Sequence, residues 1–305
     1  MTTNAATRSI PRRRRERFSI GMFFIYLFVG VFALLCLYPF VLVISGSFTS
    51  KQEATLYGFS LFPRSITFAA YEALFVNMRA IVNGYKITLF VTTVGTALSL
   101  LSNSMMGFVL SRRHLKFRAF LNFYVLFTML FNGGMVSWYI MCGKLGMRDT
   151  VWALILPMMA GPWYIFLFRN YFFSVPAALY ESAKIDGAGD IRIFFQIYVR
   201  LATPVLATVT LFTALGYWND WWHGLRLIEK DTLQPLQMLL RTIISNLQFL
   251  QTMESSPQVQ ALMASIPSDS VRMALVIITT GPIILLYPMV QRYFVKGIMV
   301  GAVKG

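Results

Sequence analysis

The densest grouping of side chains able to do chemistry in this chain is Tyr217-Trp218-Asn219-Asp220-Trp221-Trp222. Indole and phenol faces pack on the C–H faces of a sugar ring, while an amide and a carboxylate beside them bond its hydroxyls. Trp138-Tyr139 and Trp163-Tyr164 are candidates for the same path. Trp and Tyr also gather at membrane boundaries without any ligand, so the Asn219-Asp220 pair carries most of this reading. A second grouping is the polar stretch Ser174 to Pro204, SVPAALYESAKIDGAGDIRIFFQIYVRLATP, set between two apolar runs. Ser174 is placed to cap a helix whose first turn holds Pro176. A short helix is expected over 177–186, broken at Gly187 and Gly189. Asp190 is then expected to cap a second helix carrying Ile193, Phe194 and Ile197. Ala183, Gly187 and Ala188 are small enough for a partner's surface to come close. A helix-turn-helix between membrane runs reads as a docking element.

No catalytic constellation accompanies these groupings, and no enzymatic activity is expected. The sequence has no Walker phosphate loop, so this chain does not hydrolyse ATP by that route, and no cofactor or metal is expected in it. Two cysteines, Cys36 and Cys142, lie in apolar runs with no metal spacing and read as small buried hydrophobes. His114 and His223 sit at the ends of different apolar runs and read as interfacial residues.

The elements that position these groups follow from composition. The chain has 305 residues, 57% hydrophobic and 13% charged, with mean hydropathy +0.62. Soluble domains carry about a quarter charged residues, so the class is an all-α integral membrane protein. Uncharged runs predict six transmembrane helices: Phe18–Ser50, Ile87–Ser111, Ala119–Gly143, Thr150–Phe168, Leu201–Asn219 and Met273–Gln291. Each is long enough to cross about 30 Å of hydrocarbon, where only a helix satisfies its own backbone. Gly133-Gly134, Pro157 and Gly161-Pro162 mark kinks or close helix contacts. Short helices are expected near Tyr71 to Phe75 and Leu236 to Leu250, with a loop around Ser255-Ser256-Pro257. The first run is too long for a signal-peptide core and lacks a cleavage site, so it is expected to be a retained span.

Net charge is +15, and Arg8, Arg12, Arg13, Arg14, Arg15 and Arg17 crowd the N-terminus. Standing directly before an apolar run, they fit the positive-inside rule rather than nucleic-acid binding. Arg112, Arg113, Lys116 and Arg118 crowd one short turn, and Lys184, Arg192 and Arg200 lie in the Ser174–Pro204 loop. Both termini and that loop are therefore expected on the cytoplasmic side. The expected organisation is a basic tail (1–17), a six-helix transmembrane domain (18–294) with its loop at 174–204, and a cytoplasmic tail (295–305). The apolar runs hold almost no charge, which weighs against an ion-coupled carrier.

Glu181-Ser182-Ala183, Asp186-Gly187-Ala188, Ile197 and Pro204 resemble the EAA loop of ABC importer permeases. Glu181, Ala183, Gly187 and Ile197 keep that pattern's spacing, whereas Ser182, Val199 and Arg200 depart from it. Arg200 stands where the pattern has a proline, and Pro204 is expected to take over the bend at the loop's end. Asn132-Gly133-Gly134, Lys144-Leu145-Gly146-Met147, Trp152 to Pro157, Tyr217 to Trp221 and Gln291 to Gly297 are similar to the carbohydrate-uptake branch of that family. The resemblance implies a type I importer with a MetI-like fold in the cytoplasmic (inner) membrane. It implies as partners a second, non-identical permease, a homodimeric ATPase that binds ATP and Mg, an extracytoplasmic solute-binding protein and an oligosaccharide or polysaccharide substrate. Glu181, Ser182, Ala183, Asp186, Gly187 and Ala188 would face the ATPase; Tyr217, Trp218, Asn219, Asp220, Trp221, Trp138 and Tyr139 would line the substrate path. Rival readings are an importer for another solute, an ion-coupled carrier, and a membrane scaffold that recruits a soluble partner.

Overall fold

The computed structural model describes residues 20–252 and 269–284. Among them the chain is helical, apart from an isolated bridge between Thr49 and Ile66. The first helix, α1 (Ile20–Ser47), is apolar on every side and buries only its last turn, at Ser45, Gly46 and Ser47. Such a helix is stable only in lipid or against another protein. Short helices α2 (Lys51–Tyr57) and α3 (Ala69–Phe75) follow, joined by a loop pinned on Glu53. That carboxylate accepts from the Arg64 and Ser65 backbone N–H groups at 2.6 and 3.1 Å.

Helix α4 (Met78–Ser111) is the hub. It has 34 residues, roughly 50 Å at 1.5 Å per residue, and α7, α8 and α12 pack along it. Two glycines make that packing possible. A Cβ at Gly95 would lie 2.7 Å from the Tyr217 ring, and one at Gly107 would lie 2.6 Å from Phe168 Cβ and 2.9 Å from the Arg169 backbone nitrogen. Small residues of this kind are what allow membrane helices to approach closely.

Beyond α4 the helices come as bent pairs. α5 (Arg118–Leu130) and α6 (Gly134–Lys144) meet at 114°, and α7 (Trp152–Met159) and α8 (Pro162–Phe173) at 47°. The continuous helix expected over Ala119–Gly143 is therefore corrected to a sharp turn. Gly134 takes φ +82, and Asn132 Oδ1 accepts from its N–H at 2.9 Å, which stops α5 and starts α6. The α7/α8 break is closed from outside the pair. Buried Asn103 on α4 donates from Nδ2 to Met159 O at 3.0 Å, and its Oδ1 accepts from Gly161 N at 2.9 Å. Pro162 brings no N–H of its own, and the Asn103 amide takes the place of a missing peptide.

The elbow comprises α9 (Ala177–Ile185), α10 (Asp190–Ile193), a π-helical segment (Phe194–Tyr198) and α11 (Val199–Leu201). Together, residues Asp190–Leu201 meet α12 (Thr203–Trp218) at 85°. The break falls at Ala202, and Pro204 occupies the first turn of α12. α13 (Trp222–Leu227) and α14 (Leu236–Thr252) lead to α15, over 269–284. Among the described residues two helices, α1 and α4, are long and apolar enough to span a membrane singly, or up to five spans result if each bent pair is one. The expected last span is described only to residue 284, and the basic tail 1–17, the Ser255-Ser256-Pro257 loop and the tail 295–305 lie outside the described residues.

Candidate functional site

The elbow is built as a Schellman turn. Ala188 N–H donates to Ala183 O at 2.9 Å and Gly187 N–H to Lys184 O at 3.0 Å. The turn needs a left-handed residue after the helix end, which Gly187 supplies at φ +79. Two capping expectations are corrected. Ser174 does not cap α9: its hydroxyl bonds back to Tyr171 O at 2.7 Å, at the end of α8. Asp190 is the first residue of α10 rather than its cap, and Gly189 stands before it. The Asp190 carboxylate accepts instead from Tyr180 Oη at 2.7 Å and pairs with Lys184 Nζ at 3.0 Å. Those two partners, Tyr180 first, hold its carboxyl below the usual carboxylate range. The same contact raises the Lys184 ammonium.

This cross-brace divides the elbow into two faces. Ala183 and Ala188 are half-buried and pack toward the cluster of Phe108, Phe172, Ile193, Phe194 and Tyr198. Glu181, Ser182, Asp186 and Gly187 point outward, and α9 buries none of its residues. Leu179, Ile185 and Ile191 on the same element are 43%, 86% and 70% exposed. Apolar groups this bare on a polar loop mark a surface that another body covers. Nothing in the sequence pattern singled out Tyr180; its inward position follows from α9's rotation, which the cross-brace to Asp190 fixes.

The aromatic cluster is split in the same way. Tyr217 and Trp218, expected along a substrate path, are each 2% exposed. Tyr217 Oη donates to Ile155 O at 2.9 Å, and Trp218 Nε1 donates to Thr279 O at 3.0 Å. Their polar atoms are used within the chain. Asp220 caps α13, its Oδ1 accepting from Trp222 N and His223 N at 3.2 and 3.3 Å and lying 3.0 Å from His223 Nδ1. Asn219 is exposed, and its Oδ1 accepts from Gln237 Nε2 at 3.3 Å. Trp138 on α6 meets the Trp222 and His223 rings at 4.7 and 5.4 Å between centres. Arg226 stacks over Trp222 at 4.1 Å, Arg241 over Trp221 at 4.5 Å and Arg148 over Tyr139 at 5.0 Å. The structure thus joins Trp138 to the 219–223 turn and adds three arginines that no feature of the sequence pointed to. Trp163 meets Tyr164 and Phe212 edge-on, at 5.4 and 6.5 Å between ring centres, apart from this cluster's ring contacts. A separate cavity of about 1060 Å3 is lined by Asn77, Arg79, Asn83, Lys86, Gln234 and Asn246, among others. Among the described residues no group of acidic, His or Cys side chains is arranged to hold a metal ion.

Helices bent in pairs around a single hub, with a polar elbow at one break, define a transport-type membrane domain, and comparison with known proteins agrees. The chain belongs to the family of binding-protein-dependent transport system inner membrane components, whose model matches residues 103–300. It is similar to protein LplC of Bacillus subtilis (strain 168), with 39% identity over 281 residues, covering 92% of this chain and 93% of LplC. It is also similar to the polygalacturonan/rhamnogalacturonan transport system permease protein YtcP of the same strain, with 37% identity over 92% of this chain and 97% of YtcP. Among solved structures, one chain of a bacterial ABC transporter involved in the import of the acidic polysaccharide alginate superposes with a TM-score of 0.78. The two share 30% identity over 91% of this chain and 99% of that one.

Proposed function

We propose that this chain is a transmembrane permease subunit of an ABC importer that carries an oligosaccharide or polysaccharide into the cell. Family membership and the likeness to LplC, YtcP and the alginate importer support that class of substrate. The chain spans the cytoplasmic membrane six times with both termini inside, as its Lys and Arg distribution favours. It works with a second permease, an ATPase dimer that binds ATP and Mg, and an external solute-binding protein.

The observation that carries the mechanism is the outward face of the elbow: Glu181, Ser182, Asp186 and Gly187 beside bare Ile185. ATP binding closes the ATPase dimer and draws the elbows of the two permeases together. The Schellman turn and the Tyr180–Asp190–Lys184 brace let residues 181–189 move as one body. The bent pairs then reorient from inward-open to outward-open. ATP drives this only through its different affinity for the two states. Trp138, Tyr139, Asn219, Asp220 and Trp221 line the sugar's route, with Tyr217 and Trp218 shaping its wall.

The test is a single-cysteine cross-link at Glu181, an exposed position, in the complete complex, beside uptake of a labelled oligosaccharide. We expect the cross-link to capture the nucleotide-hydrolysing subunit and uptake to need ATP. Labelling of Glu181→Cys from outside the cell, or capture of no ATPase, defeats the proposal.

A further inference from the structure

Arg112 stands at the C-terminal end of α4. Its guanidinium carbon lies 4.5 Å from the ring centre of Phe108, 4.7 Å from that of Tyr180 and 4.5 Å from that of Tyr198. Phe108 belongs to α4, Tyr180 to α9 and Tyr198 to the π-helical segment. Nη2 and Nε also donate to Ser111 Oγ at 3.0 and 3.3 Å. Among the described residues, no carboxylate comes within ion-pair distance of it. An arginine placed only to orient a span would extend toward water or lipid headgroups. Arg112 instead is clasped by rings from three elements. A planar cation stacks on several faces at once, which an ammonium does less well.

The position of this clasp matters. α9 buries no residue of its own, so few side chains tie it to the helical body. Covalent continuity is a poor transmitter here, because the chain turns at Ser174-Val175-Pro176 on one side and bends by 85° at Ala202 on the other. Tyr180 bonds Asp190, and Asp190 pairs with Lys184, so a pull on either half of the elbow reaches the Tyr180 ring. From there it reaches the end of the hub helix through Arg112, beside the direct packing of Phe194 and Tyr198 on Phe108 at 5.3 and 4.9 Å between ring centres.

We propose that Arg112 is a positioning residue that passes the elbow's displacement into α4, so that nucleotide-driven movement of the elbow turns the hub helix. This rests on the reading of the elbow as the ATPase-docking element. The test uses the complete complex in proteoliposomes, with uptake and ATP hydrolysis measured on the same preparation. In Arg112→Gln the ATPase should remain bound and hydrolysis should stay within about twofold of wild type, while uptake falls about tenfold or more. ATP spent per substrate therefore rises by about the same factor. Arg112→Lys should recover part of the coupling, because a cation still faces the rings. Tyr180→Leu removes one ring without touching a span, and should raise the ATP-to-substrate ratio several-fold even if Arg112→Gln does not assemble. Combined with Arg112→Gln it should add little, since both interrupt the same route from Asp190 through Tyr180 to α4.

A fall in hydrolysis and uptake in equal proportion, in both Arg112→Gln and Tyr180→Leu, would mark Arg112 as merely structural and overturn the proposal. So would a normal ATP-to-substrate ratio in both variants beside a wild-type complex that docks and transports. Failure of the wild-type chain to hold any ATPase overturns the docking reading first, and this proposal with it.

Discussion

Gly187 can serve the elbow in two ways: by adopting φ +79, or by leaving space for a partner. Within this chain a Cβ at Gly187 meets nothing within 4 Å, so only a docked subunit, as proposed, would resist bulk there. Asn visits the left-handed region readily, whereas Val pays about 1–2 kcal/mol there. We expect Gly187→Asn to melt within about 0.5 kcal/mol of wild type and yet to lose ATPase capture in pull-down. Gly187→Val should lose both stability and capture. Retained capture in Gly187→Asn would assign the glycine to backbone geometry alone. Asp149 offers a second residue-scale test. It holds φ +54 and accepts from the backbone N–H groups of Glu229 and Lys230 at 2.6 and 3.1 Å. Those bonds, Glu229's first, keep its carboxyl below the usual range. A lowered folded-state value means stability that is present above the ordinary carboxyl pKa of about 4 and is lost as pH falls through the folded one. Asp149→Asn keeps an acceptor and suits the backbone. Thermal melts should therefore fall less steeply below about pH 4 than in wild type.

At the scale of elements, the break between α7 and α8 depends on one side chain from α4. Asn103→Leu leaves Met159 O and Gly161 N without the partner they now share. Each buried polar group so orphaned costs about 1–3 kcal/mol, and we expect a lower melting temperature of the detergent-solubilised protein; an unchanged one would mean that water replaces the amide. How far the elements were legible depended on whether local chemistry or tertiary packing decides them. The elbow, α3 and α14 could be read from Gly187, Gly189 and the spacing of apolar residues. The turn at Asn132-Gly133-Gly134 was not, because the run across it is uncharged and glycine pairs also serve close helix packing. Ser174 looked like a cap, but the hydroxyl found a carbonyl in the preceding helix instead. The split between buried Tyr217-Trp218 and accessible Trp221-Trp222 was likewise hidden. α12 is apolar on most sides, so only its neighbours α4, α7 and α15 determine which rings face inward.

For the whole molecule, that split separates transport from folding. Trp221→Ala should lower oligosaccharide uptake in proteoliposomes with little change in melting. Trp218→Phe, which loses the bond to Thr279 O, should cost about 1 kcal/mol of stability and leave substrate preference unchanged. Equal loss of uptake in the two would place both on the same side of the wall. α1 buries only its final turn, so the rest of its surface is left to lipid or to the second permease.

The rings seated at Gly95 and Gly107 have a mechanical consequence. Tyr217 and Phe168 sit in these notches like keys in a shaft. Neighbouring helices locked this way can swing with α4 but cannot slide along it without forcing an aromatic ring over a turn of backbone. On the proposed transport cycle, any stroke would therefore be articulated, with its travel taken up at the bends near Asn132, Gly161 and Ala202.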